Sequence, residues 1–354
     1  MSWLKWLPWR FVIRRIARSK GFLDPVALLA RLHSFARPSE VSEPIELLRA
    51  GVVFHARGLI NSRVIQHNLD WVWPYWIERQ FDPQDVSFVP RAFSLTHINL
   101  TQRNWTAVGY PDCAELPIVD PRGLLTPFLD GWSIDAWLLS EDGRCLLPSR
   151  APECRQGQAF EPEVSITTET HSAGLQLASR AWVQLEQGLP VCKLQLQPGS
   201  DSDAWLVLAL RPYNPEGISF IHDIRLSEER TAWLVEQTRR AEFSRTATHH
   251  QVSDYQQGDV FIHLRDRIEQ TTGRCDVGMA TAAALFPVTA GCAADVTVSI
   301  PLAAAAPTSA NVGADAWARE KRGLCKLTCP EPGYQFLYDA AITSLILHSP
   351  DDVY

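Results

Sequence analysis

The sequence lacks the short motifs that mark many common active sites. Its eight cysteines include no CxxC pair and no spacing with histidine that is typical of zinc sites. It has no GxSxG nucleophile motif, no GxxxxGK phosphate loop and no GxGxxG before a helix. It also lacks an apolar run of 18 residues, the length that a membrane-spanning helix requires. These absences argue against a zinc protein, a serine hydrolase of that type, a nucleotide-binding protein and a spanning helix.

The cysteines and the first residues together favour a reducing compartment. Without a disulfide pattern, free buried thiols are the better interpretation of the cysteines. The N-terminal apolar run is interrupted by Arg10, Arg14 and Arg15 and so makes a poor signal peptide. We therefore expect a cytoplasmic protein.

Charge is distributed unevenly along the chain. The net charge is −7 overall, but residues 1–37 carry +7, so the remainder carries −14. An acidic body is a poor partner for nucleic acid. The tryptophans and arginines of residues 1–20 fit a helix packed on that body, and they also fit a helix lying on an anionic membrane surface.

Most of the chain alternates with the period of a β-strand. Residues 1–60 have helical patterning with proline near each helix start, and about a dozen period-two segments follow. These include WSIDAWLL, LQLASRAWVQLE, AWLVLALRPY and DVFIHLR. Because they lack βαβ spacing, they predict a large antiparallel β-sandwich over residues 61–305. A linker with a short helix near Ala316–Lys321 occupies residues 306–333.

The last segment, 334–354, begins with a strongly apolar helix over Tyr334–His348. A helix that is apolar nearly all round is normally buried. It either lies in a groove of the sandwich or belongs to a helical domain that continues beyond this chain. We expect the second, a helical domain that is truncated here.

The sequence offers no convincing catalytic group. His249, His250 and His263 lack a carboxylate spacing that would indicate a metal site. Glycoside hydrolysis needs two carboxyl groups across the bond, and Asp130 and Asp135 have no evident reason for a raised pKa. We expect no catalytic residue, no metal and no cofactor in this chain.

Several stretches resemble the N-terminal region of bacterial glucoamylase-like and glycogen-debranching-like proteins of the six-hairpin glycosidase superfamily. They are HNLDWVWPYWIERQFDP (67–83), SFVPRAFSLTHINLTQRNWTAVGYPD (87–112), VDPRGLLTPFLDGWSIDAWLL (119–139), LALRPYNPEGISFIHDI (208–224) and YQFLYDAAITSLILHSPDDVY (334–354). The resemblance implies a β-supersandwich followed by the first helix of an (α/α)6 barrel. In that superfamily the catalytic acids lie in barrel loops, which have no counterpart here.

The resemblance implies a non-catalytic supporting part of an α-glucan-acting glycosidase, whose partner is a helical catalytic domain. Arg211, Tyr213 and Asn214 would lie at a loop near the sugar, although a turn stabilised by proline explains RPYNP as well. The alternative is a stand-alone carbohydrate-binding or adaptor module that uses Trp71, Trp73 and Trp76 as an exposed platform. Burial of these tryptophans would favour the scaffold, and exposure would favour the module.

Overall fold

The computed structural model describes residues 60, 64–65, 68, 70–78, 105–128, 131–215, 217–303 and 316–349. The chain divides into two compact units, Met1–His67 and Asn68–Tyr354, and the architecture given below is that of the second. The helices predicted before residue 60, the strand predicted in FSLTHINLT and the side chain of Asp130 lie outside the described residues.

Two large antiparallel sheets dominate the described part of this unit. The first has the order β1-β2-β3-β4-β10-β18-β16, with β5 paired to β4. Its strands are β1 (Thr106–Ala107), β2 (Ile118–Val119), β3 (Leu125–Thr126), β4 (Ser133–Ser140), β5 (Cys145–Leu146), β10 (Ala204–Arg211), β16 (His249–Ser253) and β18 (Thr281–Val288).

The second large sheet has the order β17-β13-β14-β15-β19-β9-β8-β7-β6. Its strands are β6 (Cys154–Ala159), β7 (Ser165–Ser172), β8 (Leu175–Glu186), β9 (Leu189–Ser200), β13 (Asp223–Leu226), β14 (Ala232–Val235), β15 (Arg239–Phe243), β17 (Thr272–Arg274) and β19 (Val296–Pro301). A short ribbon joins β11 (Tyr213–Asn214) to β12 (Gly217–Ile218). The predicted fold class, a mainly β chain with a large antiparallel β-sandwich, is confirmed.

Burial explains the two kinds of strand pattern. The buried residues of strand β8 (Leu175, Leu177, Ala181 and Val183) all occupy alternate positions, because one face of its sheet is more exposed to solvent than the other. By contrast, β4 is buried at all eight positions, and β10 pairs with it on one side and with β18 on the other. The near-continuous apolar runs WSIDAWLL and AWLVLALR therefore belong to the centre of the first sheet.

The two sheets meet through an aromatic core. Trp233 of β14 lies edge-on to Phe243 of β15 at 4.8 Å between ring centroids, and Phe243 lies edge-on to Phe286 of β18 at 5.8 Å. The Trp233 indole also donates to Nε2 of His250 on β16 at 2.7 Å. These contacts connect the second sheet to the first.

Four α-helices and one 3₁₀ turn complete the described elements. They are α1 (Tyr75–Glu78), the turn Pro148–Arg150, α2 (Val260–His263), α3 (Ala316–Glu320) and α4 (Pro332–Leu347). The short helix predicted near Ala316–Lys321 and the C-terminal helix are both present. In α4 the Glu331 side chain accepts from the Tyr334 backbone N–H and Pro332 stands in the first turn, as is typical of a helix start. No helix in the described part of the chain is long and apolar enough to cross a membrane.

One local prediction was wrong, and one strand was missed. DVFIHLR was expected to be a strand, but it forms the single helical turn α2 because the Asp259 carboxylate caps the Phe261 N–H. Strand β18 was not predicted, because its sequence TAAALFPV is rich in alanine, which has a low β-propensity. Its burial between β10 and β16 overrides that preference.

The eight cysteines are all free thiols, but the expected burial holds for only two of them. Cys192 and Cys275 are buried, and the other six are exposed or half-buried.

Candidate functional site

The structure places all six residues selected from the sequence in the protein interior. The exposed fraction is 0% or 1% for each of Trp71, Trp73, Trp76, Arg211, Tyr213 and Asn214. Trp71 and Trp73 do stack, with ring centroids 5.6 Å apart and an interplanar angle of 22°. Because their faces are covered, these rings offer no platform to a sugar in this structure.

Arg211 lies at the end of β10, and its guanidinium is the centre of a buried hydrogen-bond network. It donates to both carboxylate oxygens of Asp259, at 2.6 Å from Nη1 and 2.5 Å from Nη2. Nη2 also donates to the Val72 carbonyl at 3.0 Å, and Nε donates to the Tyr213 hydroxyl at 2.9 Å. This two-point pairing of guanidinium and carboxylate is the strongest geometry for such a pair.

Asp259 has further partners that hold it in place. Its Oδ2 accepts from the Val72 backbone N–H at 2.8 Å, and its Oδ1 accepts from the Phe261 N–H at 3.1 Å. The Tyr213 hydroxyl donates to the Val72 carbonyl. The network therefore joins the Trp71–Trp73 segment, the end of β10 and the start of α2.

Aromatic rings surround the buried cation. The guanidinium carbon of Arg211 lies 5.1–5.6 Å from the ring centres of Trp71, Trp137 and Tyr213. Rings at this distance attract a cation through their quadrupole. Burial alone would lower the pKa of Arg211, but the Asp259 carboxylate outweighs that effect and holds the pKa above its ordinary value. The hydrogen-bonding groups of this ion pair thus have partners and are shielded from solvent. Such a pair suits a structural junction and not proton transfer.

Neighbouring contacts extend this junction. Arg150 donates to the Trp71 carbonyl at 2.8 Å and to the Glu78 carboxylate of α1 at 2.8 Å. The Asn214 side-chain amide donates to the Gly131 carbonyl at 2.9 Å. The RPYNP segment is therefore fixed by side-chain bonds to distant backbone, in addition to its two prolines.

Two other buried carboxyl groups deserve comparison with a catalytic acid pair. Burial raises the pKa of Asp120 to about 7 and that of Asp135 to about 6. Asp120 accepts from the Arg122 and Leu124 backbone N–H groups at 2.8 and 2.9 Å, so it closes the turn between β2 and β3. Both residues are at most 5% exposed, and therefore substrate cannot reach either of them in this arrangement.

Sequence reasoning missed Asp120 and Asp259. The D-P-R-G order of residues 120–123 is a turn signature that could have identified Asp120 as a residue bonded to its own turn. Nothing local identifies Asp259 as the partner of Arg211, because 48 residues separate them.

The histidines do not form a metal site within the described residues, where no group of three His, Cys, Asp or Glu side chains is placed to hold an ion. His250 is buried between the Trp233 indole and the Gln270 carbonyl, which its Nδ1 contacts at 2.5 Å. Burial lowers its pKa to about 4, so it is neutral near pH 7.

Among the large apolar side chains of the described residues, the three with the highest exposed fraction lie on helix α4. Tyr334, Leu337 and Leu345 are 60–66% exposed. They lie along one helix face because their spacing of three and eight residues follows the helical period. Thr343 and Leu347, on the other side of the helix, are buried. The helix is thus held on one side and bare on the other.

The sequence matches no family model and no curated protein. Its structure is similar in part to a bacterial glucoamylase complexed with acarbose (TM-score 0.41, 8% identity, 70% of this chain and 38% of that chain). It is also similar in part to a GH92 α-mannosidase from Bacteroides thetaiotaomicron (0.36, 12%, 68% and 35%). A third partial similarity is to a protein described as a kojibiose phosphorylase from the human microbiome (0.30, 8%, 55% and 24%). The chain covers less than two fifths of each of these structures, and overlaps with TM-scores below 0.5 do not decide its activity.

Proposed function

We propose that this chain is the non-catalytic β-sandwich part of an α-glucan-acting glycosidase, of glucoamylase or debranching type, and that it supports a helical catalytic barrel. The observation that carries the proposal is the bare apolar face of α4. Tyr334, Leu337 and Leu345 span about 17 Å of helix. Large apolar side chains exposed together on one helix face are typical of an interaction site. A helix packed along it would bury that surface, as in a helical barrel.

The buried polar network supports a scaffold role in preference to the alternative binding module. The module would use Trp71, Trp73 and Trp76 as a platform, and all three are covered. The contacts of Trp71 with Arg211 and of Trp73 with Tyr213 instead stiffen the sandwich that carries α4. Membrane contact through residues 1–20 stays a prediction, since those residues lie outside the described part of the chain.

A first experiment measures catalysis by the chain alone. The purified protein is incubated with maltoheptaose and with glycogen, and released glucose is measured. We expect none, because the proposal places the catalytic acids in the barrel and not in this chain, and because the buried carboxyl groups Asp120 and Asp135 are out of reach of a glycosidic bond. Release of glucose at a rate proportional to protein concentration would contradict the silent-scaffold proposal.

A second experiment tests the docking face. The partner in this experiment is an (α/α)6 catalytic domain of a glucoamylase, coexpressed as a separate polypeptide. It should form a complex with this chain that Leu337→Glu disrupts. Val277→Glu is the control, because Val277 is 52% exposed and belongs to the loop between β17 and β18 and not to α4. Equal loss of complex in both variants would argue against docking on α4.

A further inference from the structure

An open cleft lies on the first sheet, and no residue of α4 or of the Arg211 network lines it. It is bounded by the turn between β4 and β5, by Trp205 at the start of β10 and by the loop after α2. Its volume is about 540 Å³, within the range of about 300–1,000 Å³ typical of small-molecule sites. Leu139, Leu264 and Leu285 form a buried floor. We call it the Trp205 cleft.

The polar groups of the cleft are tied to the indole. Glu141 Oε1 accepts from the Trp205 indole N–H and from Arg267 Nη2, both at 2.6 Å. The indole and then the arginine lower the pKa of Glu141, so the carboxylate is an acceptor at neutral pH. The Arg267 guanidinium lies 5.3 Å from the Trp205 ring centre. On the opposite wall, Arg265 donates to the Gly143 carbonyl at 3.0 Å.

The backbone at Arg267 is held in an unfavourable conformation. Its φ is 48°, in the left-handed region that non-glycine residues rarely adopt. Such strain persists only where the surrounding contacts impose it, and it is concentrated at functional sites. Here it accompanies the placement of a guanidinium beside Trp205 and Glu141.

The composition of the rim selects a class of ligand. Glu141 and Asp142 balance Arg265 and Arg267, so the four charges sum to zero and no strongly charged ligand is favoured. Guanidinium donors alternate with carboxylate and carbonyl acceptors around an indole and leucine wall. Glu141, Arg265 and Arg267 already pair within the cleft, but each keeps lone pairs or N–H donors that a purely apolar ligand could not use. A neutral ring with hydroxyl groups at its edge and C–H groups on its face satisfies both parts.

We propose that the Trp205 cleft binds a neutral carbohydrate. The ligand's hydroxyl groups would pair with Glu141, Arg265 and Arg267, and its C–H surface would lie against the part of the Trp205 indole that Arg267 and His249 leave exposed. This site is separate from the proposed docking face. It neither needs a catalytic partner nor implies one.

The test is calorimetric titration of the full chain with maltoheptaose, with glucose 6-phosphate and glucosamine as charged comparisons. We expect maltoheptaose to bind and both charged sugars to bind more weakly. Glu141→Gln and Trp205→Phe should each weaken maltoheptaose binding about tenfold or more, because a charged hydrogen-bond partner or its indole anchor is lost.

Trp182→Phe supplies a matched control on the other sheet. Trp182 is also half-buried, donates to Gln184 at 2.8 Å and has Arg180 at 5.0 Å from its ring, but it lines none of the clefts described for this chain. The Trp182→Phe variant should bind maltoheptaose with the same affinity as the unaltered protein. The proposal would be overturned if neither maltoheptaose at about 10 mM nor cellohexaose, a second neutral probe, gave a heat of binding. A site with a Kd of about 1 mM would be detected at that concentration. Equal weakening by Trp182→Phe and Trp205→Phe would overturn it as well.

Discussion

Arg211 and Asp259 form a buried ion pair, and removing either side chain is expected to lower the stability of the fold. Each is fully buried, and their mutual hydrogen bonds replace water that neither can reach. A buried pair adds little net stability over an apolar pair, but removal of one partner leaves an uncompensated charge in the interior. The same reasoning does not apply to exposed pairs, which water and salt screen.

Asp259→Ala is therefore expected to lower the free energy of unfolding by about 3–5 kcal/mol. Glu242→Ala is the control, because it removes an exposed pair with Arg240 at 2.6 Å and should change stability by at most about 0.5 kcal/mol. Urea denaturation followed by tryptophan fluorescence measures both. Similar losses in the two variants would show that the buried pair is not a junction.

Asp120 determines a pH dependence of opposite sign to that of most carboxylates. Its pKa is about 7 in the folded chain and about 3.8 when solvated, so the folded state holds its proton between those values. Since the folded state then binds more protons than the unfolded state, stability falls as pH rises from 4 to 7. His250, with its pKa lowered to about 4, acts in the opposite direction over pH 4 to 6.5.

Asp120→Asn should remove the first of these two effects. The amide keeps an acceptor for the Arg122 and Leu124 N–H groups but cannot ionise. The stability of the variant relative to the original protein should therefore rise between pH 4 and pH 8, by up to about 4 kcal/mol. Urea denaturation at intervals across that range, with both proteins in the same buffers, isolates Asp120. A stability difference that is constant with pH would contradict the buried neutral form.

At the scale of the elements, helix α4 has one side buried against the sandwich and the other side exposed. Leu347 lies against Gly109, where a Cβ would come within 2.7 Å of the Leu347 methyl group, so the glycine leaves room for the leucine. Leu345 is 60% exposed on the bare face. The two leucines are two positions apart and face different environments because successive helical residues are 100° apart.

Leu347→Ala should therefore lower the free energy of unfolding by about 2–4 kcal/mol, as for a buried leucine. Leu345→Ala should change it by at most about 0.5 kcal/mol. Thermal unfolding followed by circular dichroism compares the two variants. Equal losses would mean that the exposed face of α4 is already covered in this chain, which would also weaken the docking proposal.

At the scale of the whole second unit, the two large sheets keep the buried core apart from the exposed surfaces for which we propose partners. Their aromatic core, from Trp233 to Phe286, uses the inner faces, and the Arg211 network occupies a buried junction. Within the described residues, the bare face of α4 and the Trp205 cleft are the two exposed surfaces for which we propose partners. A sandwich of this kind can hold a helical domain at one place and a sugar at another without coupling the two.

The sequence by itself determined the elements whose signal is local. Period-two alternation located β8 and β9, and apolar runs located β4, β10 and α4, because each pattern depends on near neighbours in the sequence. The same signal failed at α2, where a single capping carboxylate outweighed the alternation in DVFIHLR.

Only the tertiary structure decided which side chains are covered and which meet. A tryptophan-rich segment reads the same whether its rings face solvent or the interior, and Trp71, Trp73 and Trp76 prove to be interior. Arg211 and Asp259 pair across 48 residues, and the alanine-rich β18 is a strand because β10 and β16 flank it. The physical reason is that burial and long-range pairing are properties of the packed chain, whereas periodicity is a property of its local order.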